Sequence, residues 1–323
     1  MSLGIYGSQF KLNFLKPKNT MNFRGCTLSI LVARTDVPFM MQTIPHLVKE
    51  CQFGITERVL VIDTAPLSDN YRNRPGIGTM EEFRLCCQQL LERNVVDKLL
   101  DIDYSEQYRK QVYKKHFGRD IKTTHDFRGY PILGSVFAIE SAQTDYIVHF
   151  DSDMLLYQQA EHNWIQDGID LMQQNPDIMF VSPLSGPPSG DGSLRQRGVD
   201  YQRHSSGHYS FTDFTSRKFL VNCKRLEEIL PLQPLWISWK RRYLSYFTGK
   251  SAMWSWEVMI SNRLKATDYV RVDLDSPKAW TLHTPDHGAK FIQSLPTVID
   301  KVEKGDYPPV QAGDYDLQLG AWC

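Results

Sequence analysis

Four short apolar runs, alternating with segments of helical character, limit what this chain can fold into. Thr27-Leu-Ser-Ile-Leu-Val-Ala33 and Arg58-Val-Leu-Val-Ile-Asp63 read as buried strands, and Lys98-Leu-Leu-Asp-Ile102 and Tyr146-Ile-Val-His-Phe150 as two more. Between them, Asp36 and Pro38 give a helix start, and Pro45 is expected to kink or shorten that helix. Met80, Phe83, Cys87, Leu90 and Leu91 recur at helical spacing behind Glu81 and Glu82, and Pro131 opens a further helix over 132–142. Such alternation predicts an α/β fold built on an open, mostly parallel twisted sheet flanked by helices.

The second half continues the pattern less regularly. A helix is expected at 160–175, ending at Asn175-Pro176, then strands at 178–181 and 217–222. Helices at 224–230, 256–265 and 289–304 and a strand at 269–273 follow, and the Pro/Gly/Asp-rich tail from Asp306 reads as a surface loop. Residues 183–209 form a long Gly/Ser-rich connection, and loops of that length in a compact domain are usually functional or disordered.

Composition excludes some classes. Lys+Arg and Asp+Glu both number 37 in 323 residues, so no global field points to nucleic acid. No window approaches the roughly 18 apolar residues of a membrane span, and the first residues lack the apolar core of a secretory leader. The six cysteines (Cys26, Cys51, Cys86, Cys87, Cys223 and Cys323) show neither a disulfide framework nor zinc-ligand spacing. Reduced thiols in a cytoplasm are the expectation.

The strand at 146–150 ends in Asp151-Ser152-Asp153. Residues two apart in extended chain face the same way, so the carboxylates would converge past the strand's carboxyl end, the edge at which open parallel sheets bind ligands. Two such groups repel unless a cation lies between them. Mg²⁺ and Mn²⁺ take oxygen ligands and also bind phosphates.

Taken in order, the strand-ending acid Asp63, the helix from Pro131 to Ala142 and the run Asp145-Tyr-Ile-Val-His-Phe-Asp-Ser-Asp153 resemble the nucleotide-sugar half of a GT-A fold glycosyltransferase, most closely its family-2-like members. The resemblance extends over 27–305. It implies a nucleotide-sugar-binding half (27–157) and an acceptor-binding and catalytic half with a smaller subdomain (158–305), while the polar, basic segment 1–26 reads by itself as an N-terminal arm and 306–323 as a tail. It further implies a metal-dependent transferase that moves a sugar from a UDP- or GDP-linked donor to a hydroxyl on a glycan, a lipid-linked acceptor or a small metabolite.

Carried over residue by residue, the resemblance assigns Asp63 to the nucleobase and Arg34 to the base or ribose pocket. Asp151 falls near the ribose or the metal, and Asp153 on the Mn²⁺ or Mg²⁺ that bridges the diphosphate. Such enzymes often complete the metal site with a histidine from the C-terminal half. "WTLHTPDHG" offers His283, favoured because it ends an extended stretch, and His287. The matching position for a general base is Glu257, where the family usually has Asp, often after another acid. Here Trp256 precedes it, and the inverting course is slightly favoured over the retaining one.

Arg195, Arg197 and Arg203, in the 183–209 connection, are expected to close over the diphosphate and exclude water. Four of the seven tryptophans (Trp236, Trp239, Trp254 and Trp256) lie within 236–256 and suit an acceptor platform. Lys240-Arg-Arg242 interleaves with them, a mixture that also suits peripheral contact with the inner face of a membrane.

Competing classes fare worse. A nucleotidyltransferase would want a Gly-rich phosphate loop after the first strand, and "ARTDVPFM" has none. A phosphatase with an Asp nucleophile would carry Asp-x-Asp on the first strand, not the fourth. The unusual Trp256-Glu257 pair leaves a non-catalytic sugar- or nucleotide-binding protein as the main alternative.

Overall fold

A computed structural model describes residues 25–51, 54–68, 72–196, 199–205, 207–248 and 250–322. The first half runs β1 (Cys26–Val32), α1 (Met40–Glu50), β2 (Glu57–Ile62), α2 (Met80–Glu92), β3 (Lys98–Asp101), α3 (Glu106–Phe117), α4 (Ile132–Ser141) and β4 (Tyr146–Asp151). There follow β5 (Met154–Gln158), α5 (Trp164–Gln174), β6 (Ile178–Ser182), β7 (Leu184–Ser185), β8 (Gln202–Arg203), β9 (Tyr209–Phe211) and β10 (Lys218–Asn222). The chain continues through α6 (Cys223–Glu227), α7 (Trp239–Thr248), α8 (Trp256–Lys265), β11 (Val270–Asp273), β12 (Ala279–His283) and α9 (Ala289–Glu303).

Nine strands form one sheet in the order β3-β2-β1-β4-β10-β6-β11-β9-β8. The β3-β2-β1-β4 half is wholly parallel, as the alternating pattern predicts. Beyond β4 the sheet is mixed, because β10 runs antiparallel to both β4 and β6. A second sheet has three strands in the order β5-β12-β7.

Burial explains the layering. Leu28, Ile30 and Val32 of β1 pack with α1, α2 and α5 in one core, while Val59, Val61, Ile147, Phe219 and Val221 pack with α3, α4, α6 and α8 in another. Strands covered on both faces need apolar residues at nearly every position, which is why they read as continuous runs. A third core joins the small sheet to α9 and the C-terminal tail through Leu155, Trp280, Leu282, Phe291, Leu317 and Trp322.

Three expectations change. Pro45 does not end α1, because Met40, Ile44 and Leu47 are fully buried and hold the helix against the sheet. Helix α3 escapes apolar periodicity because its sequence is strongly polar, yet its ends were marked by Ser105, which caps Tyr108 N, and by left-handed Gly118 (φ 68°). The tail is a packed element, not a surface loop. Gln311 is buried, accepting hydrogen bonds from Gln318 N and Trp322 Nε1 and donating to the carbonyls of Asp314 and Asp316.

Candidate functional site

The Asp151-Ser152-Asp153 segment is the point at which the chain leaves the large sheet and enters the small one. Strand pairing then brings distant residues to it. Lys218 pairs with Phe150, so Arg217 lies beside Asp151, whose N–H donates to the Arg217 carbonyl (2.8 Å). His283 pairs with Met154, and the Thr284 hydroxyl donates to the Asp153 carbonyl (2.7 Å). Asp151, Asp153, Arg217 and His283 border a cleft of about 350 Å³ at the carboxyl edge of the parallel half. That volume lies within the usual range of small-ligand sites.

Asp153 is buried, and its Oδ2 lies 3.1 Å from His287 Nε2. The two groups are at ion-pair distance but are not aligned as a hydrogen bond, and both Asp153 Oδ1 and His287 Nε2 lack a hydrogen-bond partner among the described residues. Burial works to raise the Asp153 carboxyl, but His287, His283 and Arg217 override it and hold it at about 2. His287 is fixed by stacking on Phe39 (centroids 4.9 Å, planes 20° apart). His283 Nδ1 lies 2.7 Å from Asp316 Oδ1, an acceptor-only carboxylate, so Nδ1–H donates to it and Nε2 is the ring nitrogen that Asp316 does not engage. A carboxylate behind an imidazole is the usual support for a metal-ligating histidine.

An orphaned buried carboxylate oxygen and an imidazole nitrogen 3.1 Å from its partner oxygen, with a carboxylate-backed second imidazole on the same cleft, are ligand types that suit Mn²⁺ better than all-oxygen Mg²⁺ sites, but the ligand atoms of Asp153, His287 and His283 do not all lie within 4.8 Å of one another. Asp151 lines the same cleft and is partly exposed, with Oδ1 3.4 Å from His149 Nε2.

Glu257 stands in the first turn of α8, where its charge complements the helix N-terminus. Ser216 donates to Glu257 Oε2 from both N–H (2.9 Å) and hydroxyl (3.2 Å). Both bonds fall on one oxygen, Oε2. Arg217 is largely buried next to these acids. Burial opposes its charge, but Tyr315, Glu257, Asp151 and Asp153 more than compensate and raise its pKa.

Asp63 also lines the cleft, and it is held on both oxygens. Oδ1 accepts from Ala65 N (2.8 Å) and Tyr104 Oη (2.7 Å), and Oδ2 lies 3.3 Å from His125 Nε2. Asp36, unremarked as a site residue in the sequence, lines the cleft, buried in the 3-10 turn (Arg34–Asp36) that follows β1. Burial pushes its carboxyl up to about 6 against hydrogen bonds from Ala33 N and the Thr35 hydroxyl.

Other residues singled out from the sequence lie elsewhere. Arg34 does not line the cleft, and Arg74 and Arg128 do. Arg195 faces Asp314 (3.7 Å), and Arg203 bonds Asp275 (3.0 Å) over the Tyr209 ring, so neither reaches the cleft; Arg197 lies outside the described residues. The tail explains this, because Arg195 N bonds the Gly313 carbonyl and Gly313 N the Pro187 carbonyl, drawing the loop away. Of the four tryptophans, Trp256 alone borders the cleft. Trp254 packs edge-on against Phe127, Trp236 lies under Arg242, and Trp239 faces solvent.

Arg217, His149 and Asp316 were not visible as site residues in the sequence. Arg217 opens an ordinary-looking strand, and only the register of β10 against β4 brings it to Asp151. Asp316 sits in an aperiodic tail whose sole signal was its density of acids.

No protein-family model matches the chain, and no curated protein matches it. Among solved structures, one similar chain is described as the crystal structure of GalNAc-T7 with UDP, GalNAc and Mn²⁺. It shares 11% identity at a TM-score of 0.48, over 82% of this chain and 44% of that one. The present chain thus spans less than half the length of that neighbour.

Proposed function

We propose that the protein is a metal-dependent glycosyltransferase that moves a sugar from a nucleotide-diphospho-sugar to a hydroxyl acceptor. The observation that carries the reading is the Asp153–His287 pair beside Arg217, on the cleft that His283 also lines, with Asp153 Oδ1 buried and without a hydrogen-bond partner among the described residues. A buried carboxylate oxygen normally has a donor, and a divalent cation is the partner this set fits.

A bound Mn²⁺ or Mg²⁺ supplies charge neutralisation for the departing diphosphate. Arg217 adds a fixed guanidinium for the same oxygens, held by its acidic neighbours and unable to lose its proton. The acceptor hydroxyl attacks the anomeric carbon as the bond from that carbon to the diphosphate oxygen breaks, and the bonding pair leaves with the diphosphate. Glu257 Oε1 takes the hydroxyl proton, while Ser216 keeps the carboxylate oriented. This is the inverting course. Asp63, locked by Tyr104, His125 and Ala65 N, presents a rigid acceptor edge to the nucleobase.

The test is release of nucleoside diphosphate from UDP- and GDP-sugars, with Mn²⁺ and with EDTA. Metal-dependent release or transfer supports an enzyme. Nucleotide binding with neither, across acceptors, would make the protein a binding module instead.

A further inference from the structure

Helix α7 inverts the pattern of a soluble surface helix. Its outward face carries Trp239 (75% exposed), Tyr243 (61%), Leu244 (54%) and Phe247 (73%). Those are four of the seven large apolar side chains exposed among the described residues, so the clustering on one helix is not the usual scatter of single exposed groups. Tyr243 and Phe247 pack edge to face (5.3 Å), making a continuous ridge. Placed at i, i+4, i+5 and i+8, the four residues form one apolar stripe.

The charge around the stripe has one sign. No Asp or Glu occurs between Glu228 and Glu257, and Lys240, Arg241, Arg242 and Lys250 all fall in that interval. Lys240 sits over the Trp239 ring (5.9 Å) and Arg242 over Trp236 (4.7 Å), so the basic heads border the aromatic ridge. The chain as a whole has a formal net charge of zero, so this positive field is local.

We infer that α7 docks on an anionic membrane surface, lying in the interface with its aromatic ridge among the lipid headgroups. An exposed aromatic stripe rimmed by Lys and Arg is what an interfacial helix needs: apolar area to insert and basic heads to meet anionic lipid. Tryptophan and tyrosine favour that depth because their rings are amphipathic. A second copy fits less well, since a self-paired α7 would bring like charges together. Among the described residues, no helix is long and apolar enough to cross the bilayer, so the contact would be peripheral. Along the chain, α7 is followed by Ser255, Trp256 and Glu257, which line the cleft. The inference does not depend on the chemistry proposed for the cleft.

Co-sedimentation of the full chain with vesicles tests it without donor or acceptor. Binding to phosphatidylcholine vesicles containing about one-third phosphatidylserine, a surface that attracts basic segments, is expected to exceed binding to phosphatidylcholine alone and to weaken with salt. Each basic residue near such a surface is worth about five-fold in partitioning, so Lys240→Glu with Arg241→Glu should reduce it by at least about twenty-five-fold. Trp239→Ser with Phe247→Ser should reduce it on both lipids, with the thermal midpoint unchanged because both side chains are exposed. The proposal is overturned if the wild type ignores anionic vesicles or if both double variants bind like the wild type. A concentration-dependent dimer that Phe247→Ser dissociates would also overturn it and assign the ridge to a second copy.

Discussion

Replacing Asp153 with Asn tests the metal-site reading most directly. Asparagine keeps the shape of the side chain and removes the charge that His287, His283 and Arg217 face. A nucleoside diphosphate with Mn²⁺ present at 100 times its dissociation constant stabilises the folded chain by about 2.7 kcal/mol. For 323 residues the unfolding entropy is about 0.7 kcal/mol per kelvin, so the melting midpoint should rise by about 4 °C. Loss of an orienting group behind a metal ligand weakens affinity about 10–100-fold, and loss of the ligating carboxylate itself should do no less. At the same concentration, a hundred-fold weaker complex adds only about 0.4 kcal/mol, a shift below about 1 °C. The assay is differential scanning fluorimetry with UDP and GDP, each with Mn²⁺ and with EDTA. The quantity to compare is the shift caused by ligand, because Asp153→Asn also changes the unliganded midpoint. A wild-type shift that survives EDTA, or a full Mn²⁺-dependent shift in Asp153→Asn, would refute the metal assignment.

Other expectations follow from the same geometry. Glu257→Gln should lower kcat about 10²–10⁴-fold, the usual worth of a general base, and leave nucleotide binding intact. Ser216→Ala keeps the backbone donor and should cost about ten-fold or less, so similar losses in the two variants would argue against a base at Glu257. Asp316→Ala removes the acceptor behind His283 and should weaken Mn²⁺-dependent nucleotide binding about 10–100-fold, read from the same melting shifts. At Glu140 burial raises the carboxyl, but His116 and Lys115 outweigh it and hold it at about 2 against an ordinary 4.5. Lys115 also faces Glu227, on α6. The folded chain then binds fewer protons than the unfolded one between these values, so stability present above about pH 4.5 is lost as pH falls toward 2. Glu140→Gln should flatten that acid limb by about 1–2 kcal/mol, allowing for screening at a partly solvated site, as measured by urea melts at pH 3 and pH 7.

Much of the architecture was legible because buried parallel strands leave little freedom of composition. The runs at 27–33, 58–63, 98–102 and 146–150 became the parallel half of the sheet within a residue or so at each end. Capping chemistry was less legible, since Asp36, read as the start of the first helix, lies in a separate 3-10 turn and α1 begins after Phe39. The polar α3 and the short strands β7 to β9 were not legible. They take their stability from packing and pairing partners far along the chain, which no local period reports.

The site divides along the same line. The sequence alone determined that Asp151 and Asp153 end a buried strand at an open edge, because strand period and sheet handedness fix where such residues go. It also marked Asp63 and Glu257 as acids at element ends, and both line the cleft. Only the tertiary structure decided that His287 stands against Asp153 and His283 against Asp316, that Arg217 supplies a cation at the cleft, and that Arg195 and Arg203 are engaged elsewhere. Those outcomes depend on strand register and on the docking of an irregular tail. Both are set by long-range burial, and a one-residue slip of β10 would turn Arg217 to the opposite face.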